Sequence, residues 1–263
     1  MVGELIDRVP EQFRGVAGGV VAAAARDRRF LAVLVNGSVA NGQPDEWSDL
    51  DLVIVCADSY RHETVAQAKD FAAAVGPLLV AFTGEHVGEP RLLIALYGPP
   101  VIHVDLKFIG LSDLDERVED GLVLWQRDDS VQRRLDATQA AWPQPDAQWV
   151  EDRFWVWIHY VAAKVGRGEL FEAVDGLGLI RSAALVPSIV ATRTDRPAGV
   201  RRVEQLAPSL VPALARTVAL PDRADCLRAL RAAVELYLEV RDSGVIRRNE
   251  ARKAVVAYLD GLA

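Results

Sequence analysis

The sequence predicts an N-terminal α/β or α+β domain followed by an α-helical domain, and two features of the chain support this prediction. Short apolar runs rich in Val and Leu, with helical segments between them, recur through the first half. Beyond Trp142-Pro143-Gln144-Pro145, nearly every segment has helical periodicity. Because the two prolines mark a boundary, we expect one domain at 1–142 and a second at 143–263.

The N-terminal domain is expected to combine strands with helices and turns. A helix is predicted at 3–28, where Pro10 marks a break or a new start, and another at 60–75. Gly98-Pro99-Pro100 predicts a hairpin connection between the fourth and fifth strands. The sixth strand is expected at an edge of the sheet. The predicted strands are 30–35, 50–55, 78–82, 91–97, 101–108 and 122–126.

The C-terminal domain is predicted to be helical throughout. Its apolar residues recur at three- and four-residue spacing, as in Leu227, Leu230, Val234 and Leu238. The predicted helices are 147–167, 169–193, 208–218, 223–243 and 247–262.

Composition indicates a globular protein and argues against a nucleic-acid partner. About half of the 263 residues are hydrophobic (51%), so a sizeable core is available. The net charge is −7, from 37 acidic and 30 basic side chains. A protein that binds the nucleic-acid backbone needs a basic footprint, so we expect no nucleic-acid partner.

The chain is expected to be a soluble cytoplasmic protein without a membrane partner. Cys56 and Cys226 lack the spacing of a metal site and are interpreted as buried thiols in a reducing compartment. Glu4 and Asp7 near the N-terminus are not typical of a signal peptide. The apolar run 15–25 is too short to span a bilayer.

A pair of carboxylates lies at the start of the second predicted strand. Asp49 and Asp51 are separated by one residue, so on a strand both side chains point to the same face. Two like charges this close repel strongly unless a cation neutralises them. Mg²⁺ prefers carboxylate oxygens and substrate phosphates, and two such ions about 3.5–4 Å apart can assist a phosphoryl displacement.

Two further features complete the predicted constellation. Asp105 lies in a later strand run, where it is suited to bind a metal or to act as a general base. Gly37-Ser38 follows the first predicted strand. The glycine allows close approach of a phosphate, and the N–H and hydroxyl of Ser38 can donate hydrogen bonds at a helix N-terminus.

Together these motifs resemble the DNA polymerase β-like nucleotidyltransferase superfamily. Ten residues separate Gly37-Ser38 from Asp49-Leu50-Asp51, and Asp105 follows on a later strand. The motifs are most similar to the antibiotic-modifying branch, which includes aminoglycoside and lincosamide nucleotidyltransferases. The resemblance covers roughly 30–110 and is weaker over the helical half. It implies an α+β fold with an N-terminal mixed-sheet nucleotidyltransferase domain, at 1–142, and a C-terminal α-helical acceptor domain, at 143–263.

The resemblance also implies roles for individual residues. Asp49 and Asp51 would bind Mg²⁺, and Asp105 would be a third metal ligand or the base. Gly37 and Ser38 would bind the nucleoside triphosphate, with ATP as the expected donor. An Arg often follows the Gly-Ser turn in relatives, whereas Asn41 stands there in this chain.

Four residues are weaker site candidates. Lys164 ends an apolar helical stripe, so it either extends to water or binds the nucleotide from a cleft between the domains. Trp155 and Tyr160 fall off that stripe and either line a substrate pocket or belong to the core. His103 shares the strand face of Asp105 and either assists it or is structural.

Glu85 and Glu89 remain alternatives for the base.

The predicted function is Mg²⁺-dependent transfer of a nucleoside monophosphate, AMP from ATP, to a hydroxyl of a small molecule. An aminoglycoside is the favoured acceptor because acidic clefts suit polycations, with a lincosamide or an unknown metabolite next. The alternative is an interaction module, either antitoxin-like or a degenerate nucleotidyltransferase fold. About 120 residues beyond the catalytic half and the retention of all three carboxylates favour the enzyme.

Overall fold

The computed structural model describes residues 6–262. Contacts divide the chain between Trp142 and Pro143 into an N-terminal unit and a C-terminal unit. In the N-terminal unit, Pro10 immediately precedes the first helix. Its helices are α1 (Glu11–Arg26), α2 (Gly37–Ala40), α3 (Arg61–Ala66), α4 (Ala68–Val75) and α5 (Ser130–Ala137). Its strands are β1 (Phe30–Val35), β2 (Leu50–Cys56), β3 (Leu78–Gly84), β4 (Glu89–Tyr97), β5 (Ile102–Gly110) and β6 (Leu122–Gln126).

The strands form one mixed six-stranded sheet in the order β3-β4-β5-β2-β1-β6. Strands β2 and β5 are parallel, whereas the other neighbouring pairs are antiparallel. Strands β4 and β5 form the predicted hairpin, and β6 lies at one edge. The predicted α+β class with a mixed sheet is therefore confirmed.

The two faces of this sheet differ in how they are covered. One face packs against α1 and α4 to form the main core, which includes Phe13, Val20, Ala72, Leu52 and Phe108. The other face has a smaller cluster in which sheet residues pack against Leu114 and Val131. We call this second face the site face, because Asp51 and Asp105 point to it by strand alternation from the buried core residues beside them.

The C-terminal unit is helical, as predicted. Asp146 caps its first helix by accepting hydrogen bonds from two backbone N–H groups, and Gly168, at a φ of 77°, ends that helix. A π-helical segment, Arg181–Leu185, joins two of the helices. The helices are α6 (Ala147–Arg167), α7 (Leu170–Ile180), α8 (Val186–Val190), α9 (Val203–Leu206), α10 (Val211–Ala215), α11 (Arg223–Val240) and α12 (Asn249–Asp260).

One helical stretch has the length and composition of a membrane span. It runs over Leu170–Val190, and 44% of its most apolar window is buried inside the structure. Ala173, Leu177 and Ile180 from this stretch belong to the core of the C-terminal unit. A core helix has the same composition, so this stretch is accounted for by packing within its own unit.

The structure differs from the sequence-based prediction in several local features. The predicted helix at 60–75 is two helices that meet at Gln67. The predicted helix at 169–193 is divided by the π-helical segment. Helix α5 was not predicted because it is mostly polar and buries only Val131. Asp49 immediately precedes β2 rather than lying within it.

The core of the C-terminal unit contains a buried carboxylate. Glu151 on α6 is fully buried and accepts hydrogen bonds from Trp155 Nε1 (3.2 Å), Tyr237 Oη (2.7 Å) and the backbone N–H of Arg248 (2.9 Å). Burial alone would raise the pKa of Glu151, but these hydrogen bonds and the charge of Arg241 lower it overall. The carboxylate therefore stays ionised and ties α6 to α11 and to the segment before α12.

We expect Glu151→Ala to lower the free energy of unfolding by about 3–5 kcal/mol, because it leaves buried donors and the Arg241 charge without their acceptor. Chemical denaturation of both proteins measures the change. The matched control is Glu235→Ala, which removes a carboxylate that is 63% exposed from an ion pair with Arg216 and should change stability little. Equal effects of the two substitutions would contradict this role of Glu151.

The stabilisation by Glu151 should depend on pH with a definite sign. A lowered pKa in the folded state means that the stabilisation is complete above the ordinary value of 4.5 and is lost as the pH falls through the folded-state pKa. The stability difference between wild type and Glu151→Ala should therefore be constant near neutrality and shrink in acid. A difference that grows in acid would be inconsistent with an ionised Glu151.

Candidate active site

The register of the sheet brings three carboxylates together. Strands β2 and β5 pair in parallel so that Asp51 and Asp105 are directly opposite each other. Asp49 precedes Asp51 by two residues. One carboxylate oxygen from each of the three lies within 4.8 Å of one from each of the others, and all three residues are partly exposed. Two distant parts of the sequence thus contribute to one cluster of negative charge.

One carboxylate of the cluster, that of Asp105, has a raised pKa. Burial is the main cause of the raised pKa of Asp105, and the Asp49 carboxylate adds to it. The hydrogen bond between His103 Nε2 and Asp105 Oδ1 (3.0 Å) opposes the rise. A carboxylate with a raised pKa is a better proton acceptor than an ordinary aspartate.

Gly37 allows the chain to pass directly beside the cluster. Its φ is 62°, and a Cβ built on it would lie 2.0 Å from Asp51 Oδ2. The backbone N–H of Asn36 donates to the carbonyl oxygen of Asp51 (2.9 Å), which fixes the end of β1 against the start of β2. Both the backbone conformation and the contact with Asp51 therefore require glycine.

Ser38 places an unpaired hydroxyl in the same turn. Its Oγ is buried and has no hydrogen-bond partner among residues 6–262. The side chain of Asn41 donates to the carbonyl oxygen of Gly37 (2.7 Å) and holds the short helix α2 closed. Because buried hydroxyls are usually paired, the unpaired Ser38 Oγ is consistent with a site for a polar ligand.

The residues present fit a divalent cation. Three carboxylates supply the hard oxygen ligands that Mg²⁺ prefers, and a cation relieves their mutual repulsion. Asp49, Asp51 and Asp105 are the residues that would hold it.

A small cavity adjoins the carboxylates on the site face. Its volume is about 240 Å³, and Asn36, Val53 and Lys107 contribute to its lining. Val53 and Lys107 follow Asp51 and Asp105 by two residues on their strands. A larger cavity, of about 650 Å³, lies along β6 and α5. None of the three carboxylates lines either cavity, but the smaller one is lined by residues of β2 and β5, the strands that carry Asp51 and Asp105.

The two glutamates considered as bases are both engaged elsewhere. Glu89 has a pKa lowered to about 2, first by its hydrogen bond with Arg91 and then by Lys107. Glu85 is exposed and accepts a hydrogen bond from Thr83 Oγ1 (2.6 Å), which lowers its pKa. Carboxylates with lowered pKa values are poor proton acceptors, so Asp105 is the better candidate for the base.

An ion-pair network beside the site was not predicted from the sequence. Lys107 Nζ lies 2.9 Å from Glu89 Oε2, and Arg91 pairs with both Glu89 and Asp113. Asp113 also pairs with Arg61. The alternation of Asp105 with Lys107 on β5 indicates that the lysine lies on the same face of the sheet as Asp105. The ion-pair partners of the network could not be predicted, because they come from distant parts of the chain.

Lys164 and Tyr160 lie together in the C-terminal unit. Lys164 Nζ is 2.7 Å from Glu169 Oε2 and 2.9 Å from Glu172 Oε1, and hydrogen bonds to these carboxylates raise its pKa. The ammonium also lies 5.1 Å from the centre of the Tyr160 ring. Tyr160 Oη donates to Glu172. These contacts give Lys164 a structural role within its unit, and its binding to a nucleotide stays a prediction.

The expectation that Trp155 lines a substrate pocket differs from its position in the structure. Trp155 is 2% exposed, and its indole N–H is used by Glu151. It packs edge to face against Phe154 and Tyr237. Trp155 does not lie on the Phe154 stripe, but α6 is buried on more than one side. Trp155 therefore belongs to the core.

A match to a family model identifies the chain as a nucleotidyltransferase of the small-molecule branch. The family model for streptomycin adenylyltransferase matches residues 15–243. The chain therefore belongs to the streptomycin adenylyltransferase family, and it is an adenylyltransferase. Both the predicted resemblance and the predicted enzyme class are confirmed.

Several solved structures also match the chain. An aminoglycoside 6-adenyltransferase from Bacillus subtilis is 14% identical, with 93% of this chain and 94% of that chain covered and a TM-score of 0.36. A nucleotidyltransferase-like protein from Exiguobacterium sibiricum 255-15 is 11% identical, with 85% and 74% covered and a TM-score of 0.42. No curated protein matched the sequence. The family assignment rests on the family model.

We expect Gly37→Ala to abolish divalent-cation binding at the carboxylates, because the new methyl group must displace Asp51. The matched control is Gly42→Ala, at a similar φ of 67° but with no atom within 4 Å of the added Cβ. The control should cost about 1–2 kcal/mol of stability and retain cation binding. Titration with Mn²⁺, followed by electron paramagnetic resonance, measures the affinity of each variant for the cation. Equal affinity in the two variants would contradict the packing of Gly37 against Asp51.

Proposed function

We propose that this adenylyltransferase transfers AMP from ATP to a hydroxyl group of an antibiotic, in a Mg²⁺-dependent reaction that releases pyrophosphate. The observation that supports this most is the cluster of Asp49, Asp51 and Asp105 created by the parallel pairing of β2 with β5. An aminoglycoside is the proposed acceptor, in line with the family description and with the net charge of −7.

The three carboxylates have different roles in the proposed reaction. Asp49 and Asp51 hold Mg²⁺, which supplies charge neutralisation for the triphosphate. Asp105 is a third ligand or the group that accepts the proton of the acceptor hydroxyl. As that proton leaves, the acceptor oxygen forms a bond to the α-phosphorus of ATP. The bond from the α-phosphorus to the bridging oxygen breaks, and pyrophosphate carries away its electron pair.

The turn after β1 binds the triphosphate in this proposal. Gly37 lets the backbone approach closely, and the triphosphate gives Ser38 Oγ the partner that it lacks among residues 6–262. His103 holds Asp105 through Oδ1 and orients the carboxylate. Most of the rate gain comes from positioning and from electrostatic stabilisation of charge on the transferred group.

The two units have separate proposed roles. The N-terminal unit, 1–142, is the catalytic domain, and the C-terminal unit, 143–263, contributes to acceptor binding. Tyr160 is its proposed contact with the acceptor, and Lys164 its proposed contact with the nucleotide. The proposed location is the cytoplasm, where both ATP and incoming antibiotic are available.

The direct test is pyrophosphate release with ATP, Mg²⁺ and a panel of aminoglycosides and lincosamides, with the modified acceptor identified by mass spectrometry. Asp49→Asn and Asp51→Asn should each lower kcat by at least about 10²-fold. Asp70→Asn, which alters an exposed carboxylate on α4, should retain activity. Absence of nucleotide turnover with every nucleoside triphosphate, in Mg²⁺ or Mn²⁺, would refute the proposal.

Asp105→Asn separates the two proposed roles of that residue. If Asp105 acts as the base, the variant binds ATP·Mg²⁺ with nearly unchanged affinity and loses about 10²–10⁴-fold in kcat. If Asp105 is chiefly a ligand, nucleotide affinity falls together with kcat. Calorimetric titration and steady-state kinetics on one preparation distinguish the two results, and unchanged binding with unchanged kcat would exclude both roles.

We expect Ser38→Ala to weaken ATP binding without destabilising the unliganded protein, since Ser38 Oγ has no bond to lose there. The loss of one hydrogen bond to a charged phosphate corresponds to roughly a tenfold rise in the Kd of ATP. Thermal melting with and without ATP·Mg²⁺ measures both effects. A lower melting temperature in the absence of ATP would show that the hydroxyl is structural instead.

A further inference from the structure

Strands β3 and β4 continue the site face beyond Asp105. Ile94 on β4 is directly opposite Asp105, and Leu96 is opposite His103. On β3, Phe82 is opposite Ile94, and Val80 is opposite Leu96. Residues paired in this way point to the same face of a sheet. We call Val80, Phe82, Ile94 and Leu96 the apolar platform; they lie on the same face as the carboxylates and next to them.

The apolar platform is accessible and is not needed to complete the core. Val80 is 50% exposed and Phe82 is 46% exposed, while Ile94 and Leu96 are partly exposed. None of the four belongs to a core cluster of the described chain. The alternate residues of β4, such as Leu93 and Tyr97, are buried in the main core on the other face. Contiguous exposed apolar surface beside a candidate active site is a candidate surface for ligand binding.

The apolar platform itself carries no charge. Strand β3, with the sequence Leu-Leu-Val-Ala-Phe-Thr-Gly, has no charged side chain. Glu85, in the turn after β3, accepts a hydrogen bond from Thr83, and Glu89 is paired with Arg91 and Lys107. The negative charge of the site is therefore concentrated on Asp49, Asp51 and Asp105. His103 and Lys107 flank Asp105 on β5, whereas the residues opposite Asp105 and His103 on β4 are apolar.

We propose that the acceptor places an apolar face on the apolar platform while its hydroxyl meets Asp105. This inference rests on the proposed function, and it specifies the acceptor as a hydroxylated molecule with an alkyl or deoxygenated ring surface beside the reacting oxygen. Small-molecule sites commonly combine an apolar lining with a few polar groups that fix orientation. Here the carboxylates are the polar groups that fix the orientation of the acceptor. The apolar platform favours acceptors that have an apolar surface beside the reacting hydroxyl.

Continuity with the carboxylates is the reason to assign the apolar platform to the acceptor. Ile94 is the neighbour of Asp105 on the adjacent strand, so a molecule whose hydroxyl reaches Asp105 can also contact Ile94. Strand β3 is also an edge strand, which a second copy of the chain could extend. A dimer through β3 is therefore the competing occupant that the experiment has to distinguish.

The test uses a homologous series of alkyl β-D-glucosides, from methyl to hexyl, as probes of known polarity. Each is titrated calorimetrically into the full-length protein with Mg²⁺ and a non-hydrolysable ATP analogue bound. For wild type, affinity should rise about three- to fourfold for each methylene that is buried. The double variant Val80→Thr/Phe82→Ser should remove this dependence on chain length, and Phe82→Leu, which keeps the surface apolar, should preserve it.

Tyr60→Ser is the matched control. It removes an exposed aromatic side chain (41%) after the opposite end of β2 from Asp51 and should leave the chain-length dependence unchanged. Wild-type affinity that is independent of alkyl length, or an unchanged dependence in the double variant, would overturn the proposal. Dimers of wild type that dissociate in the double variant, seen by sedimentation, would also overturn it. Binding of the ATP analogue is measured separately, so its absence would identify failure of the proposed function instead.

Discussion

The parallel pairing of β2 with β5 is the contact on which the candidate site depends. It sets Asp51 opposite Asp105, although 53 residues separate them in the chain, and Asp49 joins them from the turn before β2. A shift of one residue in this register would turn Asp105 toward the main core and bring Val104 or Leu106 to the site face. The buried residues on the other face, Leu50, Leu52 and Leu106 among them, therefore specify the position of the carboxylates.

The same arrangement brings negative charges together, and a bound cation can relieve the resulting electrostatic repulsion. Three partly desolvated carboxylates repel one another, and burial raises the pKa of Asp105. The turn after β1 leaves room for these carboxylates, because Gly37 has no side chain to obstruct Asp51. In the same turn, the Ser38 hydroxyl has no hydrogen-bond partner among residues 6–262. Beyond Asp105 the surface becomes apolar. The site face thus changes from polar to apolar across the sheet, as expected for the proposed charged donor and partly apolar acceptor.

Local patterns predicted much of this protein, and long-range contacts account for what they missed. Gly37-Ser38, Asp49-Leu50-Asp51 and Asp105 lie in short motifs, so the family and the fold class were accessible from the sequence. The engagement of Glu89 with Arg91 and Lys107, and the burial of Trp155 against Glu151 and Tyr237, depend on tertiary packing that residue spacing does not encode. Helix α5 is too polar for periodicity to reveal it.

The central claim is that Asp49, Asp51 and Asp105 together hold the divalent cation that accompanies the nucleotide. The most direct measurement is an anomalous diffraction map of crystals grown with Mn²⁺ and a non-hydrolysable ATP analogue. The claim predicts an anomalous peak within coordination distance of carboxylate oxygens from Asp49 and Asp51, with Asp105 at the same centre and the triphosphate against Gly37-Ser38. A nucleotide bound elsewhere, or bound with no peak at these carboxylates, would contradict it.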